Sequence, residues 1–153
     1  MNAAAAVRVG PWADALAASR HEVSVLTSRE GAAGGKNPSV VASRFGTPSN
    51  RAGLAKRFWQ EVRLGRDICL SLGGLNPKPD LVVITSPPFF MACLCAKTVR
   101  RLKLPYVLDV RDRYPEVLFD LGLVSQKGFI GKFLKRMERK VYAGTRLVST
   151  VTR

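Results

Sequence analysis

A short apolar segment ends in "VRDRYPE", which brings two guanidinium groups, two carboxylates and a phenol together within six residues. The residues are Arg111, Asp112, Arg113, Tyr114 and Glu116. The guanidinium groups can hold a phosphate or a carboxylate, and the carboxylates can accept hydrogen bonds from sugar hydroxyls. The mixture predicts a polar, polyhydroxylated or phosphorylated ligand. The same side chains could instead cap and solvate a helix that begins at Pro115, and their spacing alone does not separate these interpretations.

A second candidate stretch is "TSPPFF", which follows a run of apolar residues. Ser86 is predicted to be the N-cap of a helix that has Pro87 at its first position. A helix that starts at the end of a strand presents free N–H groups to an anion, although an ordinary cap fits the pattern equally well. Thr85, Ser86 and Pro87 are therefore candidate substrate-binding residues.

Other catalytic and cofactor motifs are excluded by spacing or residue type. In "EGAAGGKN", Lys36 stands where a phosphate loop requires glycine, and Asn37 stands where it requires serine or threonine, so a flexible loop is predicted. His21 is the one histidine and opens a strand, which favours a structural role. The sequence predicts no metal site, no Ser-His-Asp set and, without a G-x-G-x-x-G motif after a strand, no dinucleotide cofactor.

The elements that must position these residues alternate between strands and helices. Apolar and β-branched runs predict strands at His21–Thr27, Ser39–Phe45, Asp80–Thr85, Pro105–Val110 and Arg146–Thr152. Helical spacing predicts a helix ending at Ser19, one over Leu54–Leu72 after a turn and helix start at Thr47–Asn50, and others over Phe89–Leu102, from Pro115, and over Gly128–Tyr142. This order predicts an α/β fold, a Rossmann-like parallel sheet with helices on both faces. The loops after Thr27, Thr85 and Val110 should then share the edge where such sheets bind ligands.

Composition limits the class of protein further. The chain has 153 residues, 46% of them hydrophobic, which suits one domain with a real core. Three cysteines, an odd number, favour a reduced, cytoplasmic setting. Arg8 follows the apolar N-terminus too soon for a signal peptide, and the longest apolar run, Phe89–Ala96, is too short to span a membrane. Any membrane contact is expected to be peripheral.

The net charge of +14 points to an anionic partner. Two predicted helices carry Lys and Arg beside Phe58, Trp59 and Phe133, a combination that suits an anionic membrane surface, although charged helix faces are usually just solvated. Nucleic acid is not expected, because the chain lacks the pattern of exposed aromatics on a sheet that RNA readers show.

Four segments in order, "HEVSVLT", "PDLVVITSPPFF", "LPYVLDVRDRYPE" and "RLVSTVT", resemble the N-terminal domain of a family 4 (GT-B) glycosyltransferase, of the branch that builds bacterial surface polysaccharides on lipid-linked acceptors. The resemblance runs from Val7 to the last residue. It implies a Rossmann-like half that binds the acceptor and faces a C-terminal half holding a nucleotide-sugar, with retention of configuration and usually no metal ion. By position, Arg111 and Asp112 would be catalytic and face the donor sugar. Thr85, Ser86, Pro87, Arg113, Tyr114 and Glu116 would bind substrate.

The chain departs from this family in two ways. Family members begin with a strand and a glycine-rich loop, where this chain has "MNAAAAV", and they continue into a donor-binding half. We therefore expect residues 1–153 to form a single domain that is incomplete at its N-terminus and inactive alone. An unpaired strand edge would make it marginally stable or self-associating. The alternative is a non-catalytic basic Rossmann-like module that binds an anionic membrane or nucleic acid. The expected location is cytoplasmic, at the inner face of the plasma membrane.

Overall fold

The computed structural model describes residues 3–34, 39–49 and 52–150. The chain divides into two compact units, Met1–Gly74 and Leu75–Arg153, and each is described separately. That residues 1–153 form one Rossmann-like domain stays a prediction.

The first unit contains a small parallel sheet and two long helices. Its elements are α1 (Ala3–Ala18), β1 (Ser24–Thr27), a 3₁₀ helix (Arg29–Gly34), β2 (Ser39–Ala42) and α2 (Leu54–Gly73). β1 and β2 run parallel, with Ser24 opposite Ser39 and Thr27 opposite Ala42. α2 is amphipathic, and it buries a face made of Glu61, Leu64, Gly65, Ile68 and Leu72.

Two segments of this unit differ from the prediction. The glycine-rich stretch contains the 3₁₀ helix, while Lys36 and Asn37 lie outside the described residues. α2 begins at Leu54, later than the turn at Thr47–Asn50, of which Asn50 also lies outside. The turn instead folds onto α2, because the Ser49 amide donates to Gln60 Oε1 at 3.1 Å. The predicted helix start in this turn was wrong.

The second unit contains a three-stranded sheet and the helices that connect its strands. Its elements are β3 (Val82–Ser86), α3 (Phe89–Arg101), β4 (Tyr106–Val110), α4 (Glu116–Asp120), α5 (Phe129–Tyr142) and β5 (Leu147–Thr150). The strand order is β3-β4-β5, and both pairings are parallel. Thr152, where the last strand was predicted to end, lies outside the described residues. The predicted α/β class, with parallel strands in open sheets joined by helices, is confirmed.

The core of the second unit lies between its sheet and its helices. Successive right-handed crossovers in one direction place α3 and α5 on the same face, where Ile84 and Leu108 are buried. Phe89, Leu118 and Leu134 form a buried cluster that joins α3, α4 and α5. The hydroxyl of fully buried Tyr106 donates to the carbonyl oxygen of Val141 at 2.5 Å, tying β4 to the end of α5. The opposite face presents a row made of Val83, Val107 and Leu147.

Candidate functional site

The two polar stretches identified in the sequence meet at the carboxyl ends of β3 and β4. Ser86 is paired with Val110 in the parallel register, and the next amide, that of Arg111, donates to the Ser86 carbonyl oxygen at 2.9 Å. The segments that carry Ser86 and Arg111 therefore lie side by side and point the same way, as predicted. The expectation that the loop after Thr27 shares this edge stays a prediction, because β1 belongs to the other unit.

The predicted role of Ser86 as a helix N-cap was wrong. Ser86 is the last residue of β3, and α3 begins only at Phe89, with Pro88 in an extended conformation at the N-cap. Ser86 stays in the strand because its carbonyl oxygen continues the ladder to Arg111. Pro87 and Pro88 have no amide hydrogen, so the free N–H groups of this helix start at Phe89.

A pocket opens beside this edge, between the sheet and the helices α3 and α5. Its polar lining comes from three predicted residues, Ser86, Asp112 and Tyr114, and from Glu138 and Tyr142 of α5. The apolar part of the lining is made of Phe89, Ala92, Cys93, Leu108, Val110 and Val141. The structure thus places hydroxyl, phenol and carboxylate groups from three segments, β3, the loop after β4 and α5, around one apolar floor.

Aromatic packing positions one wall of this pocket. The ring of Tyr114 lies 4.7 Å from that of Phe89 and 6.3 Å from that of Phe90, measured between centroids. The Tyr114 amide also donates to the carbonyl oxygen of Asp112 at 2.9 Å, which closes a tight turn after β4. Asp112 and Tyr114 are therefore held together on the rim by local backbone geometry.

Arg111 connects the two loops at the edge. Its Nη2 donates to the carbonyl oxygen of Pro87 at 3.3 Å, in addition to the backbone bond to Ser86. Its Nε is buried and has no hydrogen-bond partner within the described part of the chain. The guanidinium group thus fixes the loop after β3 against the loop after β4, next to the pocket.

Five of the eight predicted residues are outside the pocket lining: Pro87 and Arg111, which are joined by the hydrogen bond described above, and Thr85, Arg113 and Glu116. Thr85 points to the opposite face of the sheet from Ser86, because side chains alternate along a strand, and it is paired with Asp109. Arg113 is exposed to solvent. The carboxylate of Glu116 is bound by Lys135, whose Nζ also lies 3.6 Å from Glu138 Oε2. That these residues contact substrate stays a prediction.

Glu138 and Tyr142 line the pocket from α5 and were not predicted from the sequence. A signal was present, since Glu138 is the one acidic residue in a helix with five Lys and Arg residues. It follows the buried Leu134 by four positions and so shares the inward face. Burial, and to a lesser degree the negative charge of Glu138, raises the pKa of Tyr142 above its ordinary value. Tyr142 is therefore a neutral hydrogen-bonding group at physiological pH.

Within residues 3–34, 39–49 and 52–150, no group of three or more His, Cys, Asp or Glu side chains is arranged to hold a metal ion. Among the same residues, no helix is both long enough and apolar enough to cross a bilayer.

The parallel α/β architecture, with a polar pocket where two strands end, defines a Rossmann-like ligand-binding fold. The family described as "Glycosyl transferase 4-like domain" matches residues 3–153, and the chain belongs to this family. Neither the curated proteins nor the solved structures gave a significant match. The predicted relationship to family 4 glycosyltransferases is thus confirmed, and sugar transfer is the activity of its class.

Proposed function

We propose that this chain is the acceptor-binding half of a retaining glycosyltransferase of the branch that builds bacterial surface polysaccharides. A donor-binding half would hold the nucleotide-sugar, and residues 1–153 without such a half would be inactive. The acceptor is a sugar carried on a lipid. The single observation that best supports this proposal is the hydrogen bond from the Arg111 amide to Ser86, which brings the two polar loops of the sequence to one edge.

The lining of the pocket suits a sugar better than a phosphate. Two carboxylates, Asp112 and Glu138, and two hydroxylated side chains, Tyr114 and Tyr142, are all able to accept hydrogen bonds from ring hydroxyls. Hydrogen bonds to a carboxylate are among the stronger ones, because one partner is charged. The aromatic and apolar floor would contact the less polar face of the ring. We infer that the acceptor sugar lies across the mouth of this pocket, because the enclosed volume of about 10 Å³ is too small to hold a ring.

The arginines beside the pocket suit the phosphate groups of the substrates. Arg111 lies at the edge with a buried Nε, and Arg113 is exposed on the loop after β4. Guanidinium groups bind phosphate oxygens through paired N–H donors. We place Arg111 and Asp112 where the acceptor pocket meets the donor sugar, so that Asp112 contacts both sugars. Arg113 is assigned to the phosphates of either substrate.

Binding tests the proposal directly, since it does not require the donor-binding half. A water-soluble acceptor analogue, a monosaccharide joined by diphosphate to a short prenyl chain, should bind the complete chain in isothermal titration calorimetry. Asp112→Asn and Glu138→Gln should each weaken binding by about tenfold, because each removes one charge-assisted hydrogen bond.

Asp120→Asn is the matched control, since Asp120 is an exposed carboxylate on α4 outside the pocket lining. Its binding constant should equal that of the unchanged chain. Equal weakening by Asp120→Asn, or full binding by both pocket variants, would contradict the assignment of the pocket. Tighter binding of a polynucleotide than of the analogue would favour the non-catalytic module.

We also place the protein at the cytoplasmic face of the plasma membrane, where a lipid-linked acceptor is held. The net charge of +14 supports this location, since the inner leaflet is anionic.

A further inference from the structure

The outward side of α5 combines exposed aromatic rings with free cations. Phe129 is 87% exposed and Phe133, one turn later, is 52% exposed. Lys132, Arg136 and Lys140 are exposed as well, and within the described part of the chain they form no ion pair. Spacings of three and four residues place all five on one side of the helix. We call these residues, Phe129, Lys132, Phe133, Arg136 and Lys140, the outer face of α5.

The helix cannot turn this face inward. Leu134 and Val141 are buried on the opposite side, and Leu134 belongs to the cluster with Phe89 and Leu118. The start of α5 is also fixed, because Gly131 is packed tightly against the backbone of Ser125. The exposed rings are therefore a stable property of the folded unit.

Further apolar surface is exposed near the start of α5. Ile130 is exposed, and so are Leu121 and Leu123 in the connection that leads from α4 to α5. A soluble surface carries scattered apolar residues, but five large ones within thirteen positions, two of them adjacent in the chain, form an unusual concentration. Cations beside exposed aromatics are typical of helices that lie in a membrane interface.

α2 provides a useful comparison, since it also is basic. Its exposed large apolar residues are Leu54, Trp59 and Leu70, and Trp59 and Leu70 are eleven positions apart, about three turns of helix. Lys56, Arg63 and Arg66 lie on the same side of α2 and are exposed. This side of α2 thus carries three exposed cations, as the outer face of α5 does, but it lacks two exposed aromatic rings one turn apart.

We propose that the outer face of α5 docks on an anionic lipid bilayer, with the helix axis parallel to the membrane surface. Phe129 and Phe133 enter the region between headgroups and acyl chains, and Lys132, Arg136 and Lys140 contact the anionic headgroups. Charge complementarity selects this occupant, because three uncommitted cations surround the rings and the whole chain is strongly positive.

Binding of the outer face of α5 to a membrane does not depend on the proposed function. Only its biological purpose, to bring the pocket to a lipid-linked acceptor, rests on that function. The inward side of α5 carries Glu138 and Tyr142, which line the pocket. A helix is about 10 Å in diameter, so docking on the outer face holds the pocket roughly that distance from the headgroups. A sugar on a lipid diphosphate would reach the pocket from there.

Vesicle sedimentation with the complete chain tests the proposal. Vesicles of phosphatidylcholine with phosphatidylglycerol should bind the chain at low salt, and vesicles of phosphatidylcholine alone should bind at least about tenfold more weakly. Phe129→Ser with Phe133→Ser, and separately Lys132→Ala with Arg136→Ala, should each reduce binding by about tenfold or more.

The matched controls are the corresponding pairs on α2. Trp59→Ser with Leu70→Ser removes comparable exposed apolar surface, and Arg63→Ala with Arg66→Ala removes the same charge. Both should reduce binding by less than about threefold. Circular dichroism should show unchanged helix content, since every substituted residue is exposed.

Equal losses for the pairs on α2 and α5 would overturn the proposal, because net charge alone would then explain binding. The absence of binding to anionic vesicles would also overturn it. If vesicles do not bind and the Phe129→Ser with Phe133→Ser variant changes the oligomeric state, the outer face of α5 is a protein contact instead. Asp112→Asn should leave vesicle binding unchanged. Failure of the acceptor site and failure of the membrane surface are therefore distinguishable.

Discussion

At the scale of single residues, the closest backbone approach that a glycine permits in the described part of the chain occurs at the start of α5. A Cβ atom at Gly131 would overlap the carbonyl oxygen of Ser125 and would lie 2.8 Å from that of Gln126. These are backbone atoms, so they cannot swing away as a flexible side chain could. The connection between α4 and α5 therefore depends on a residue without a side chain at this position.

Gly131→Ala is expected to destabilise the protein by about 1–3 kcal/mol, because the added methyl group must push the connection away from the helix. Chemical denaturation followed by circular dichroism measures the loss. Gly73→Ala is the control, since Gly73 is the last residue of α2 and no atom stands within 4 Å of the added carbon. There the helix propensity of alanine should give neutral or higher stability. Equal stability of Gly131→Ala and the unchanged chain would contradict this expectation, because the connection between α4 and α5 would then accommodate the methyl group.

The residues of the pocket were predictable from the sequence in part. Asp112 and Tyr114 directly follow a strand, and their chemistry is visible in a run of six letters. Ser86 was predicted to be at the edge for the wrong reason, as a cap, and it is there because it ends β3. Glu116 has suitable chemistry, but it is bound by Lys135, nineteen residues later, and local spacing does not reveal such a partner.

At the scale of elements, α2 is joined to the end of β2 by a single carboxylate. Asp67 Oδ2 accepts from the Ser43 hydroxyl at 2.6 Å and from the Arg44 amide at 3.1 Å, and its Oδ1 accepts from Arg44 Nε at 2.9 Å. The bond from Ser43, followed by those from Arg44, lowers the pKa of Asp67 below its ordinary value of 3.8. The charged carboxylate is thus favoured by folding.

The sign of the resulting pH dependence follows from this lowered pKa. The stabilisation by Asp67 is fully present above its unfolded pKa, and it is lost as the pH falls through the lower folded value. The urea midpoint of the unchanged chain should therefore decrease as the pH is lowered from about 5 to about 3. Asp67→Asn should have a lower midpoint at neutral pH and a smaller decrease over this range. Asp14→Asn, at an exposed position of α1, should keep the full decline. Parallel curves for Asp67→Asn and the unchanged chain would contradict the expectation.

The same contacts explain why strand ends were harder to predict than strand centres. "SVVASRF" was predicted to be extended from Ser39 to Phe45, and β2 ends at Ala42. Its continuation is diverted because the Ser43 hydroxyl bonds to Asp67 and also accepts from the Phe45 amide at 3.0 Å. Apolar periodicity identified the strand, but the partner that ends it is 24 residues away.

At the scale of the whole molecule, each sheet is small and has unpaired edges among the described residues. β1 pairs only with β2, and β3 and β5 each pair only with β4. Val83 and Leu147, on the face opposite α3 and α5, are exposed. Strands with open edges and apolar side chains tend to associate with other chains. We therefore expect Val83 and Leu147 to be part of the surface through which the protein self-associates.

We expect sedimentation velocity to show an apparent mass that rises with protein concentration. Val83→Lys should reduce this rise, because a charge beside an open edge opposes pairing with another strand. Val117→Lys is the matched control, since Val117 is a similarly exposed valine on α4, away from the sheet. It adds the same charge and should leave the association unchanged. A monomer at every concentration would refute the expectation for this surface.

The fold class was predictable because it depends on the order of the elements and on right-handed crossovers, both of which leave a periodic pattern in the sequence. The pairing of β3 with β4 followed from the same rule. The outer face of α5 was predictable from the sequence only in part. Periodicity showed that the helix is amphipathic, but the 87% exposure of Phe129 depends on how α5 packs on the sheet.

The double use of α5 restricts how its length can change. One extra residue between Phe133 and Glu138 would rotate the two ends of the helix relative to each other by about 100°. If Leu134 and Val141 remained in the core, the outer face of α5 could no longer face solvent while Glu138 and Tyr142 face the pocket. Insertions and deletions should therefore be confined to the connection before Gly128, and the phase of this helix should be kept wherever the same architecture is used.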